Sequence, residues 1–156
     1  MKGLRVIKGF DYDMVNEFIG NTSQETKVYV GCDSNKRRKK VRFVTVVVVH
    51  FDGHKGAKMF HQVEIMDRRM PFRERLWQEV VLAANCAMNI AEGVETRDFE
   101  VHLDLNSNPQ YRSNEIVKGA VGYINSLQFV AKTKPDAWVA SHCADYLTKK
   151  NRWEAA

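Results

Sequence analysis

Cysteine and proline are both scarce in this chain: there are three of each in 156 residues. Cys32, Cys86 and Cys143 are odd in number and form no C-x-x-C pair, so the pattern suits reduced, buried thiols and not a disulfide framework. By spacing they also lack a histidine or other base, which argues against a thiol nucleophile. No apolar run approaches the roughly 20 residues that span a bilayer. The first residues lack the apolar core of a signal peptide. A cytoplasmic protein with no membrane partner is therefore expected. The charge excess is small as well: 24 basic against 19 acidic residues give +5. At that size, location matters more than magnitude. There is no internal repeat and no low-complexity linker. What remains is 44% apolar and 28% charged, the composition of an ordinary globular chain. The length suits one domain over residues 1–156 with a sizeable core of its own.

The pattern of apolar residues separates into two periods. Residues 1–26 form a mixed segment in which Asp11 or Asp13 caps a short helix through Met14, Val15, Phe18 and Ile19, ended by Gly20-Asn21. Residues 27–33, 41–51 and 58–66 read as strands, the second of them rich in β-branched side chains (VRFVTVVVVHF). Short connections make these three an antiparallel meander. Pro71 then opens a helix to about Ala91 that Gly93 stops, with apolar positions three and four apart. A strand over 99–105, a turn at Ser107-Asn108-Pro109, a helix over 111–127 and a strand over 128–134 follow. Pro135 breaks that last strand, and a final helix is expected over 137–150. The order predicts an α/β fold. Its mixed five-stranded sheet has three antiparallel strands, then parallel βα units, with helices packed on it.

Carboxylates recur where such sheets place their sites, at the C-terminal ends of strands. Asp33 closes the first strand, and Asp104 lies in HLDLN on the polar face of the fourth. Asp136 follows the fifth strand, and Asp145 lies on the last helix. Glu79 falls on the sheet-facing stripe of the first long helix, whereas Glu74 falls on its wet side with Gln78 and Asn85. A core-facing carboxylate is costly unless paired, protonated or bound to metal. If these groups converge, they repel one another, and a divalent ion resolves the conflict. An all-oxygen ligand set favours Mg²⁺ or Mn²⁺ over Zn²⁺. Two such ions roughly 3.5–4 Å apart serve phosphodiester hydrolysis. Asp33 would bridge them, Glu79 and Asp104 would share one, and Asp145 would hold the other.

Each acid also has a plain structural role open to it. Asp33 can be a turn residue, Glu79 can pair with Arg75, and Asp104 can cap the turn before Pro109. Asp136 can N-cap the last helix, and Asp145 can face solvent. His50, His54 and His61 lack metal-ligand spacing. His142, near Asp145, is the histidine best placed to assist proton transfer.

Directly after Asp33 comes the run Lys36-Arg37-Arg38-Lys39-Lys40, read as the turn between the first two strands. The run is either a solvated hairpin tip or, as favoured here, a phosphate clamp beside the acids, with Arg68, Arg69, Arg73 and Arg75 as a second basic cluster at the entrance to the long helix. Trp77, Tyr111 and Trp138 are available for base stacking, although core packing is the simpler use.

The stretches VGCDS, RLWQEV, HLDLN-NPQYRSNE, KPDAW and CADYL, spread over residues 27–150, resemble the ribonuclease H-like superfamily, and within it the small YkuK-like proteins of bacteria and phages. That resemblance implies a catalytic acid set of Asp33, Glu79, Asp104 and Asp145, with Asp136 as the alternative fourth position. It implies a divalent-metal-dependent nuclease. The nucleic-acid partner is left open among RNA, RNA–DNA hybrid and structured DNA. Two other readings stand beside it: a nucleic-acid-binding module without efficient catalysis, and a protein-interaction scaffold.

Overall fold

The computed structural model describes residues 3–52 and 56–139. The expected final helix beyond residue 139 lies outside the described residues, with His142, Cys143 and Asp145, as does His54. The described elements run β1 (Leu4–Lys8), α1 (Tyr12–Gly20), β2 (Lys27–Arg37), β3 (Lys40–His50), β4 (Ala57–Met66), α2 (Phe72–Val94), β5 (Asp98–Asn106), α3 (Asn114–Ser126) and β6 (Val130–Lys134). The strands form one sheet in the order β1-β4-β3-β2-β5-β6. β2, β3 and β4 pair antiparallel, while β2–β5 and β5–β6 are parallel. The expected mixed α/β architecture is therefore present. No helix among the described residues is long and apolar enough to cross a membrane.

Among the described residues the sheet has six strands where five are expected. The extra one, β1, pairs antiparallel with the outer side of β4. It is only five residues long, and Val6 within it is 58% exposed, so its apolar pattern is faint.

The β-branched run of β3 has a clear physical cause. Val41, Phe43, Val47 and Val49 pack on the helix-covered face, while Val44, Val46 and Val48 pack with Val63, Tyr29, Trp138 and Val139 on the other. A central strand buried on both faces has no polar side to show. On the second face, His102 Nδ1 accepts the backbone N–H groups of Trp138 (3.1 Å) and Val139 (3.3 Å). Its Nε2 then carries the proton and donates to Glu100 Oε1 at 2.9 Å. Burial holds this imidazole below the usual histidine range, against the opposing pull of Glu100. Trp138 packs edge-on against Tyr29, so it is a packing residue here and not an open stacking platform.

Asp11 caps α1 by accepting the Met14 N–H at 3.1 Å. The long helix α2 passes through Gly93 instead of stopping there, and ends at Val94, with Glu95 at φ 53° taking the left-handed position. Gly93 serves contact. Its N–H donates to Asn16 Oδ1 at 2.9 Å, and a Cβ there would sit 2.6 Å from the Asn16 backbone. Gly93→Ala is accordingly expected to push α1 off α2, at a cost of about 1–3 kcal/mol. A lower urea midpoint with an unchanged slope would register it.

Gln78 also departs from expectation, being buried and not on a wet face. The reason is that α2 contacts α1 and α3 as well as the sheet, so its inner surface is wider than one stripe.

Past α2, buried Arg97 gathers the chain. Its guanidinium donates to the carbonyls of Gly20, Thr22 and Ser23 after α1 and of Gly93 and Val94 at the end of α2. Glu95 Oε1 lies 3.2 Å away and balances part of its charge.

Candidate metal centre

The acidic site is built by two parallel strands and one helix. β2 and β5 pair from Lys27↔Asp98 to Gly31↔His102. Asp33 and Asp104 each lie two residues beyond that last pair, so the strand alternation puts both on the same side of the splayed ends. The strand that Asp33 is expected to end runs on past it: Asp33 sits inside β2, which continues to Arg37 as an edge paired on one side with β3, which is itself still paired with β4. That extension has little core to touch, so polar residues form it and its strand character is hidden in the sequence.

The helix α2 brings Glu79 to the same place. Ligand oxygens of Asp33, Glu79 and Asp104 all lie within 4.8 Å of one another. Asp33 and Glu79 are buried, at 8% and 6% exposure, while Asp104 is half-open to solvent. The site is thus dry on the helix side and reachable from the strand ends.

Its electrostatics are unbalanced. Burial pushes Glu79 well above the usual carboxylate range, and the Asp33 and Asp104 charges push the same way. The Ser34 hydroxyl donates to Glu79 Oε2 and opposes the shift, as does the Arg75 charge. Lys134 Nζ lies 2.6 Å from Asp104 Oδ1 and supplies positive charge at the open side. Buried Cys32, below the cluster, has its thiol held well above its ordinary value by burial and then by Glu79, so it stays protonated and unreactive.

This donor set suits a hard divalent ion. The cluster is all carboxylate oxygen, with one member driven toward protonation by burial and by the neighbouring carboxylates. Over residues 12–149 the sequence matches the family model described as Ribonuclease H-like. The chain belongs to the ribonuclease H-like family. No curated protein and no solved structure matches it.

For this ribonuclease H-like chain, three of the acids expected from sequence stand together, and Asp136 stands apart from them. It is exposed in the turn after β6, where its N–H donates to the Thr133 carbonyl at 2.9 Å. Asp145 falls outside the described residues. The basic run divides: Lys36 and Arg37 finish β2, Arg38 and Lys39 make the turn, and Lys40 begins β3. Arg69 is exposed before α2, and Arg73 pairs with Glu115 at 3.4 Å. Arg68 pairs with Glu74, and Arg75 turns toward the helix interior, its Nε buried.

Two residues that bear on the site are invisible to the sequence reading. Ser34 sits beside Asp33, and strand parity alone would have pointed it at α2. Lys134 reaches Asp104 only through the β5–β6 pairing, which sequence spacing does not give.

Proposed function

We propose that this chain is a divalent-metal-dependent nuclease that hydrolyses phosphodiester bonds of nucleic acid. The observation that carries the reading is the three-carboxylate cluster at the open ends of β2 and β5. Asp33, Glu79 and Asp104 would hold Mg²⁺ or Mn²⁺, with Asp145 as the further ligand that the family resemblance implies. A bound divalent ion would supply the activation of water and the stabilisation of the leaving oxygen that this chemistry needs.

The chain's own residues have separable tasks. The Ser34 hydroxyl fixes the Glu79 carboxylate toward Asp33 and Asp104. Burial of Asp33 and Glu79 excludes water from the rear of the site and strengthens every charge interaction there. Half-exposed Asp104 leaves the approach open to a strand. Lys36, Arg37, Arg38, Lys39 and Lys40, with Arg69 and Arg73, offset the repulsion between a polyanion and the acids.

The Lys134–Asp104 pair favours the second reading, a catalytically weak binding module, because an ammonium on Asp104 competes with a cation. One assay separates the two. Labelled RNA–DNA hybrid, double-stranded RNA, single strands and branched DNA are incubated with Mg²⁺, Mn²⁺ or EDTA. Cleavage of at least one substrate that needs metal is expected. Binding that weakens with salt, without cleavage under any metal, would replace the nuclease by the binding module.

A further inference from the structure

The hairpin tip and the turn into α2 enclose a cavity of about 300 Å³, lined by Lys36, Arg38, Lys40, Arg69, Val41 and Met70. Four of these six residues are cations, and among the described residues no carboxylate lines it. Of the basic run, Lys36, Arg38 and Lys40 line the cavity, while Arg37 and Lys39 do not. The floor is different in kind: Val41 and Met70 are buried apolar residues. Arg38 holds φ 55°, a left-handed conformation in which glycine is more comfortable. The two-residue turn between β2 and β3 requires that conformation, at a cost of order 1 kcal/mol for a non-glycine residue.

We propose that this cavity receives the phosphomonoester end of a nucleic-acid strand. The proposal rests on the nuclease reading's premise that nucleic acid is the ligand, and it adds which part of the ligand is read. An internal diester carries one negative charge, whereas a monoester carries about 1.5–2 at neutral pH. Lys40 Nζ lies 3.6 Å from Asp67 Oδ1, and the remaining cations of the lining, Lys36, Arg38 and Arg69, match the doubly charged end better than the middle. The volume lies at the small end of ligand pockets, enough for a single nucleotide and too little for a duplex. The guanidinium groups of Arg38 and Arg69 are suited to take the phosphate oxygens. Lys36 is three residues beyond Asp33 on β2, roughly 10 Å along the strand. At ~3.4 Å per stacked base, the bound end would sit about three nucleotides from the acids.

The test is binding in EDTA, so that cleavage plays no part and the result stays readable if the nuclease reading fails. The probes are one internally labelled 12-nucleotide RNA with a 5′-phosphate, a 3′-phosphate or hydroxyl ends, and its circular form. A phosphate at one end is expected to tighten binding about tenfold over hydroxyl ends, the scale of one or two charge-assisted hydrogen bonds. The 5′ and 3′ arms assign which end is held. The double variant Arg38→Gln/Arg69→Gln should weaken binding of every strand and, beyond that, erase the preference, so that phosphorylated strands bind no tighter than hydroxyl-ended ones. If the double variant melts early, Lys36→Gln and Arg69→Gln alone should each reduce the preference. Equal binding of phosphorylated, hydroxyl and circular strands would overturn the proposal. So would a preference that survives in all three variants, and so would no binding by any strand.

Discussion

Asp33→Asn and Glu79→Gln are each expected to lower metal-dependent cleavage by about a thousandfold or more, the scale on which loss of one member of a catalytic set is felt. Glu79→Gln should do so while making the metal-free protein more stable. The reason lies in where the carboxylate sits. Glu79 is buried beside Asp33 and Asp104, and burial followed by those charges raises its folded-state value above that of an unfolded glutamate. Between those two values the folded state binds the extra proton. The stabilising contribution of the group is therefore complete below about pH 4.5 and is lost as pH rises through the folded value. Near neutral pH the wild-type carboxylate is a source of strain that glutamine, similar in shape and uncharged, removes. A gain of roughly 1–3 kcal/mol fits the relief of a poorly compensated buried group. That gain corresponds to a few degrees in melting temperature for each kcal/mol at this chain length. Melts from pH 4 to 8 in EDTA should show the wild type losing stability relative to the variant as pH rises. Adding Mg²⁺ or Mn²⁺ should close the gap, because a ligand of the folded state stabilises only the chain that binds it. A variant that is less stable at every pH would mean that Glu79 is held by a partner charge and is not poised for a cation.

Arg97→Met is expected to be the most damaging single change to the fold, at about 3–5 kcal/mol. Arg97 is 4% exposed, and its guanidinium donates to five backbone carbonyls at and just after the C-terminal ends of α1 and α2. The shortest of these bonds, to Thr22, is 2.7 Å. Methionine fills much of the volume and supplies no donor, so all five carbonyls lose their guanidinium bond, although Val94 and Ser23 still accept backbone N–H groups from residue 97 and Thr26. Lysine is a poor replacement as well. Its ammonium has three donors around a point, whereas the carbonyls of Gly20, Thr22, Ser23, Gly93 and Val94 surround a planar fork. Chemical denaturation should therefore rank wild type first, Arg97→Lys well below it, and Arg97→Met lowest. Near-equality of lysine and arginine would show that charge alone suffices there.

Much of this was legible in the sequence because it follows from period. A β-branched run such as that around Val46 has only one good home, a strand packed on both faces. The three-and-four spacing from Leu76 to Ala91 fixes a helix whose inner stripe contains Glu79. The alternation in HLDLN sets Asp104 on the face opposite Leu103 and Leu105. Those facts single out Glu79 and Asp104, while their meeting with Asp33 depends on the β2–β5 register. The parts that stayed hidden depend on register or on loops. Asp33 looked terminal because the hairpin beyond it is polar on both sides. Lys134 meets Asp104 only once β6 has paired with β5. Arg97 reads as a charge in a turn, and nothing local says that two helix ends converge on it. Gly93 looked like a stop because glycine often ends helices, and its real constraint comes from Asn16, far away in sequence.

The short N-terminal strand has a consequence for how copies of this protein behave in a crowded solution. Without β1, the outer side of β4 would present ten residues of unpaired backbone, AKMFHQVEIM, as a template for another chain. With β1 in place, Val63, Glu64, Ile65 and Met66 are covered, the border over them is a five-residue strand that carries Arg5 and Lys8 and is pinned by the Arg5–Asp67 ion pair, and the uncovered stretch of β4 shortens to Ala57–Gln62. Short, positively charged borders of this sort discourage sheet-to-sheet growth. Five modest residues thus guard the chain against aggregation, a service separate from any chemistry at the other end of the sheet.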